Sequence, residues 1–115
     1  MVDGKALRGM IAALDGANDA STSDVWTFEV AGKKFAWSYR ERVHPKKARA
    51  PRLDIMAVSC PTPRKELLVE AAPDRFFDDD HYRGYPAVLV RLDVVDLDEL
   101  ASLLADACRA QSGKA

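Results

Sequence analysis

The stretch Val25-Trp26-Thr27-Phe28-Glu29-Val30-Ala31-Gly32-Lys33-Lys34-Phe35-Ala36-Trp37-Ser38-Tyr39 decides the fold. β-Branched and aromatic residues crowd both sides of Gly32, a residue that accepts the positive φ of a tight turn. Two strands, 25–30 and 34–39, joined as a hairpin are therefore expected. Trp26, Phe28 and Val30 alternate onto one face of the first strand, and Phe35, Trp37 and Tyr39 onto one face of the second. On this alternation the rings are core residues.

Toward the N-terminus, Leu7, Met10, Ile11 and Leu14 fall at i, i+3, i+4 and i+7, the stripe of an amphipathic helix. Asp3 is placed to cap it and Gly16 to end it. Residues 18–23 are polar and read as a loop.

Toward the C-terminus, residues 40–52 hold Pro45 and Pro51 and almost no large apolar side chain, as expected of an exposed loop or a long hairpin tip. Strand character resumes at 53–58. Thr62 and Pro63 read as the cap and first position of a helix that runs through Leu67, Leu68 and Ala71 and is stopped by Pro73. Residues 74–86 are irregular, and 87–92 form a buried strand. A last helix starts at Asp96, with Glu99 completing a capping box; its stripe is Leu97, Leu100, Ala101, Leu104, Ala107 and Cys108. Residues 111–115 are expected to fray. Successive hairpin strands followed by helices imply an α+β two-layer sandwich, an antiparallel sheet with helices on one face. Strict βαβ alternation is missing, which disfavours a doubly wound parallel sheet.

The chain has 115 residues, 48% hydrophobic and 30% charged, the size and composition of one globular domain. Its apolar runs, such as Ala87-Val88-Leu89-Val90, are far too short to cross a bilayer, so no membrane partner is expected. The N-terminus has no apolar signal-type region. Cys60 and Cys108 are then expected as reduced thiols packed like small hydrophobes, and the compartment as cytoplasmic.

A net charge of −1 conceals a strong asymmetry. Residues 33–52 carry eight cations (Lys33, Lys34, Arg40, Arg42, Lys46, Lys47, Arg49 and Arg52) against Glu41, a charge of +7; nine cations and seventeen anions leave the rest at −8. Such a cluster suits phosphate neutralisation with counterion release, and arginine adds a planar fork for phosphate oxygens or guanine edges. Trp37 and Tyr39, interleaved with the charges, have the chemistry to stack on unpaired bases. The plain alternative is a solvated loop that keeps a sheet edge soluble or pairs with the acidic remainder.

Three segments carry a closer likeness. Ala72-Pro73-Asp74-x-Phe76-Phe77, His81-Tyr82-x-Gly84-Tyr85-Pro86-Ala87-Val88-Leu89-Val90-Arg91-Leu92 and Asp96-x-Asp98-Glu99-Leu100 resemble the MmcQ/YjbR family. Phe28-x-Val30-x-Gly32-Lys33-Lys34-Phe35-Ala36 is similar to a second marker of that family. The resemblance implies an α-β(3)-α-β(2)-α order, similar to secretion-chaperone-like and frataxin-like folds, with a short fourth strand within residues 75–82. It also implies DNA binding, attributed to members from a "double wing" shape, and brings no catalytic residues. The segment from Tyr39 to Pro51 is longer and more basic than in shorter members, so their properties are not carried onto it.

Other constellations carry less. Asp78-Asp79-Asp80-His81 holds metal-ligand types, but consecutive side chains diverge and no second cluster accompanies them; a solvated acidic turn is expected and no metal. His81, Tyr82, Arg83 and Tyr85 in a Gly/Pro turn have the makings of a ligand cleft, with ring packing and a special φ at Gly84 as the structural alternative. Cys60, before Pro61 and a helix N-terminus, sits where a thiolate is sometimes activated, yet neither His44 nor His81 is placed by any motif to serve it. No phosphate-cradling glycine pattern occurs.

The expectation is a non-enzymatic module without cofactor that engages nucleic-acid backbone, DNA in the first instance, through the basic hairpin and loop. An interaction module for an acidic protein or peptide partner, and a small-ligand binder at the 81–85 turn, stand as alternatives.

Overall fold

A computed structural model describes residues 4–14, 16–21, 26–41, 50–79 and 82–111. The order is α1 (Gly4–Ala12), β1 (Ala17–Asp19), β2 (Thr27–Val30), β3 (Lys33–Glu41), β4 (Ala50–Ser59), α2 (Thr62–Ala71), β5 (Phe76–Phe77), β6 (Ala87–Arg91) and α3 (Leu97–Gln111). All six strands join one antiparallel sheet in the order β1-β2-β3-β4-β6-β5. The α+β reading and the short strand within 75–82 are thus both present. Residues 17–19, read as partly loop, add an edge strand: Ala17 pairs with Val30 and Asp19 with Phe28. Asn18 and Asp19 are exposed, so no apolar alternation marks the strand; its pairing with β2 makes it one.

The β2–β3 hairpin closes through two residues, Ala31 at φ 52° and Gly32 at φ 77°. Positive φ at both positions is the geometry whose twist matches that of paired strands. Beyond the turn, Phe28 pairs with Ala36 but Glu29 with Lys34, leaving Phe35 as an extra, bulged residue on β3. This bulge overturns the expectation that Phe35, Trp37 and Tyr39 share a face. Phe35 packs with Ala36, Phe28 and Val30 in the main core, whereas Trp37 and Tyr39 point to the other side of the sheet.

The main core lies between the sheet and the helices. Leu7 and Ile11 of α1 and Leu100, Leu103, Leu104 and Ala107 of α3 meet Met56, Val58, Val88 and Val90. Their strand neighbours Ala57, Ala87 and Leu89 form a second, smaller cluster with Ile55 and Tyr82, against which Trp37, Tyr39 and Phe77 pack. The opposite face is therefore not simply wet. The Arg91 guanidinium stacks over Phe77, 4.1 Å from the ring centroid.

Two cap assignments change. Lys65 N–H bonds the Pro61 carbonyl, so Pro61 is the cap of α2, Thr62 is its first residue, and no side chain caps it. Asp96 caps α3 as expected, its carboxylate accepting from Asp98 and Glu99 N–H, but Glu99 does not reach back: its carboxylate takes Arg75 Nε at 2.7 Å. An ionised donor outcompetes a backbone N–H for the carboxylate. Gly16 lies beyond α1 at φ 79°, while Asp3 and residues 112–115 lie outside the described residues. Among the described residues no helix is long and apolar enough to cross a membrane.

Candidate functional site

α2 turns an unexpected residue inward. Leu67 is exposed and Ala71 likewise, while Lys65, Leu68, Val69 and Ala72 form the buried side at i, i+3, i+4 and i+7. A lysine thus heads the stripe, 2% exposed. Burying an ammonium costs heavily unless it is paired and hydrogen-bonded, and Lys65 is both. Its Nζ donates to the carbonyls of Tyr82 (2.9 Å) and Tyr85 (2.8 Å) and lies 3.1 Å from the Asp78 carboxylate.

Residues 82–86 are thereby pinned to α2. Gly84 takes φ 77° in this turn, and Tyr85 N–H bonds the Tyr82 carbonyl. On the sheet side, Trp37 Nε1 donates to the Tyr82 hydroxyl at 2.9 Å, and the Tyr39 hydroxyl donates to Asp79 Oδ2 at 2.6 Å. Asp79 Oδ1 accepts Tyr82 N–H. Asp78 and Asp79, expected in a solvated acidic turn, are instead half-buried and hold the 82–86 turn through Lys65, Tyr39 and Tyr82. Asp80 and His81 lie outside the described residues, and among those described no three candidate ligands gather around a metal-sized space.

Between this turn and the start of β3 opens a groove of about 560 Å³. It is lined by Lys33, Lys34 and Trp37 of β3 and by Tyr82, Tyr85 and Pro86 of the turn. Ser59 and Gln111 complete the lining, and Gln111 Nε2 donates to Ser59 Oγ at 3.0 Å and to the Lys34 carbonyl at 3.3 Å. Among the described residues no carboxylate lines the groove, and none pairs with Lys33 or Lys34. Trp37, Tyr82 and Tyr85 stand mutually within 6.5 Å, with Tyr85 edge-on to both neighbours at 85° and 74°. Tyr85 nonetheless keeps 51% of its surface exposed.

Two separately expected sites meet here. Lys33 and Lys34 of the basic segment share one groove with Tyr82 and Tyr85 of the turn, and Arg83 is exposed beside them. Two other cations of the segment are placed away from the groove. β3 leads away from Lys34, so Arg40, opposite Pro51, and Arg52, opposite Tyr39, fall about 20 Å along the strand. Arg42, Lys46, Lys47, Arg49 and His81 lie outside the described residues. Of the two rings with stacking chemistry on β3, Trp37 lines the groove and Tyr39 does not. Ser59, Lys65 and Gln111 carry no motif that marks them for the site; the sole sequence signal is the apolar spacing that Lys65 heads in α2.

Cys60 offers no activated thiolate. It is 2% exposed, and burial pushes its thiol above the ordinary range, outweighing the nearby cations Arg64 and Lys65. Both cysteines are buried. Arg64 is itself held by Asp106 at 2.6 Å beside a small cavity of about 110 Å³.

The YjbR family model matches residues 12–110, almost the whole chain. The chain belongs to the YjbR family. The fold is shared with the crystal structure of Deinococcus radiodurans protein DR2400, which carries the family-model domain DUF419: 18% identity, TM-score 0.70, over 100% of this chain and 91% of that one. No curated protein matches. This YjbR-family chain thus shares its architecture with a solved neighbour, while the groove is built from its own Lys33, Lys34, Trp37 and Tyr85.

Proposed function

We propose that this YjbR-family chain is a non-enzymatic nucleic-acid-binding module, DNA in the first instance, that grips the phosphate backbone through its basic hairpin and the loop that follows. One observation carries the reading: among the described residues, Lys33 and Lys34 stand exposed and without carboxylate partners at the lip of a groove that contains no acid. Unpaired ammonium groups exchange condensed cations for phosphates, and the released counterions drive binding. Arg40, Arg42, Lys46, Lys47, Arg49 and Arg52 bring the charge of the 33–52 segment to +7. Phosphate contacts of this kind position a protein without reading sequence, so binding is sequence-tolerant.

The decisive measurement is affinity for DNA against salt. With about four phosphates neutralised, the association constant falls roughly 10²-fold between about 50 and 200 mM salt. An affinity that stays flat over that range, or absence of binding at the low end, defeats the proposal.

A further inference from the structure

The aromatic side of the groove goes unused by backbone gripping. Resting on the nucleic-acid reading above, we infer that the groove is a subsite for one unpaired nucleotide, with its base against Tyr85 and Trp37 and its phosphate on Lys33 and Lys34. Three observations carry it. The space, about 560 Å³, lies within the ordinary range of roughly 300–1,000 Å³ for small-molecule sites. Its chemistry is divided as a nucleotide is divided: two cations on β3 for an anion, and an indole and two phenols for a flat π-system.

The third is preorganisation. Tyr85 is half in solvent, yet its backbone is fixed on both sides: its carbonyl accepts from Lys65 Nζ at 2.8 Å and from Ala87 N–H at 2.8 Å, and its N–H bonds the Tyr82 carbonyl. Its ring is held edge-on by Trp37 and Tyr82. An exposed ring that is already immobilised loses little conformational freedom when a base stacks on it. A duplex keeps its base faces stacked inside and cannot present one to this wall. The groove therefore favours single strands.

The test compares a labelled twelve-nucleotide dT strand, the same strand annealed to dA, and the corresponding rU strand. Fluorescence polarisation is measured with the full chain and with its Tyr85→Ala, Tyr85→Phe and Lys33→Ala/Lys34→Ala variants. The wild-type chain is expected to bind dT more tightly than the duplex. Tyr85→Ala should weaken dT binding about tenfold, the order of one base stack, and leave duplex affinity in place. Tyr85→Phe should retain the wild-type affinity, because the ring face is kept; the lysine variant should weaken both substrates. Comparison of rU with dT separates an RNA from a DNA strand as the ligand. If wild type binds DNA but Tyr85→Ala lowers dT and duplex affinity equally, or neither, the subsite is refuted and the backbone reading stands. If no strand or duplex binds, both fall. Since Tyr85 is exposed, an unchanged melting temperature of each variant shows that fold loss is not the cause.

Discussion

Lys65 Nζ and the Tyr85 carbonyl oxygen meet at 2.8 Å, joining the buried side of α2 to the turn that carries the groove's outer ring. This contact converts a helix position into a constraint on the site. Removing the ammonium takes a donor from two carbonyls and the Asp78 carboxylate in a place where water enters poorly.

Lys65→Met is therefore expected to destabilise the fold by about 1–3 kcal/mol, since the half-buried Asp78 carboxylate loses its ammonium partner and each carbonyl loses one of its two donors. Leu67→Ala, two residues on and 67% exposed, should stay within about 0.5 kcal/mol. Urea unfolding of both variants measures the difference; equal midpoints would contradict the role assigned to Lys65.

Ala31 sits at φ 52° without glycine's freedom. A left-handed conformation costs an ordinary L-residue about 1–2 kcal/mol, and Asn-Gly is the favoured pair in such a turn. Ala31→Asn should raise stability by about 0.5–1 kcal/mol, read as a higher melting temperature. A lower one would mean that the hairpin turn is not as described.

Cys60 and Cys108 should resist thiol reagents in the native chain at about pH 8 and react at once in urea, since both are buried and burial raises the Cys60 thiol. A thiol whose folded pKa lies above its ordinary 9.0 contributes stability that is fully present below that value and lost as pH rises through the folded one. Stability should fall on the alkaline side, and less so in Cys60→Ala. Rapid native labelling would show that the site is open.

Lys33→Gln/Lys34→Gln should reduce the slope of log K against log salt by about two for DNA, one for each phosphate no longer neutralised. Arg64→Gln, whose guanidinium is already committed to Asp106, should leave the slope unchanged. Equal slopes in all three proteins would remove Lys33 and Lys34 from the interface.

The sequence alone determined the elements whose signal is local. The hairpin around Gly32, the buried strand Ala87–Arg91 and most of the α3 stripe stand where periodicity and turn chemistry put them, because each is set by residues within a few positions of one another; Leu97 is the exception, exposed where the stripe placed it in the core, while Leu103 is buried. Tertiary pairing decided the rest. The bulge at Phe35 depends on the register with β2, and it alone sends Trp37 to the open face; the edge strand at Ala17–Asp19 exists only because Val30 and Phe28 lie beside it. Lys65 reads as a surface residue until the 82–86 turn supplies its acceptors. The groove joins residues 33–37, 59, 82–86 and 111, whose proximity arises from strand order and packing, and no spacing along the chain records that.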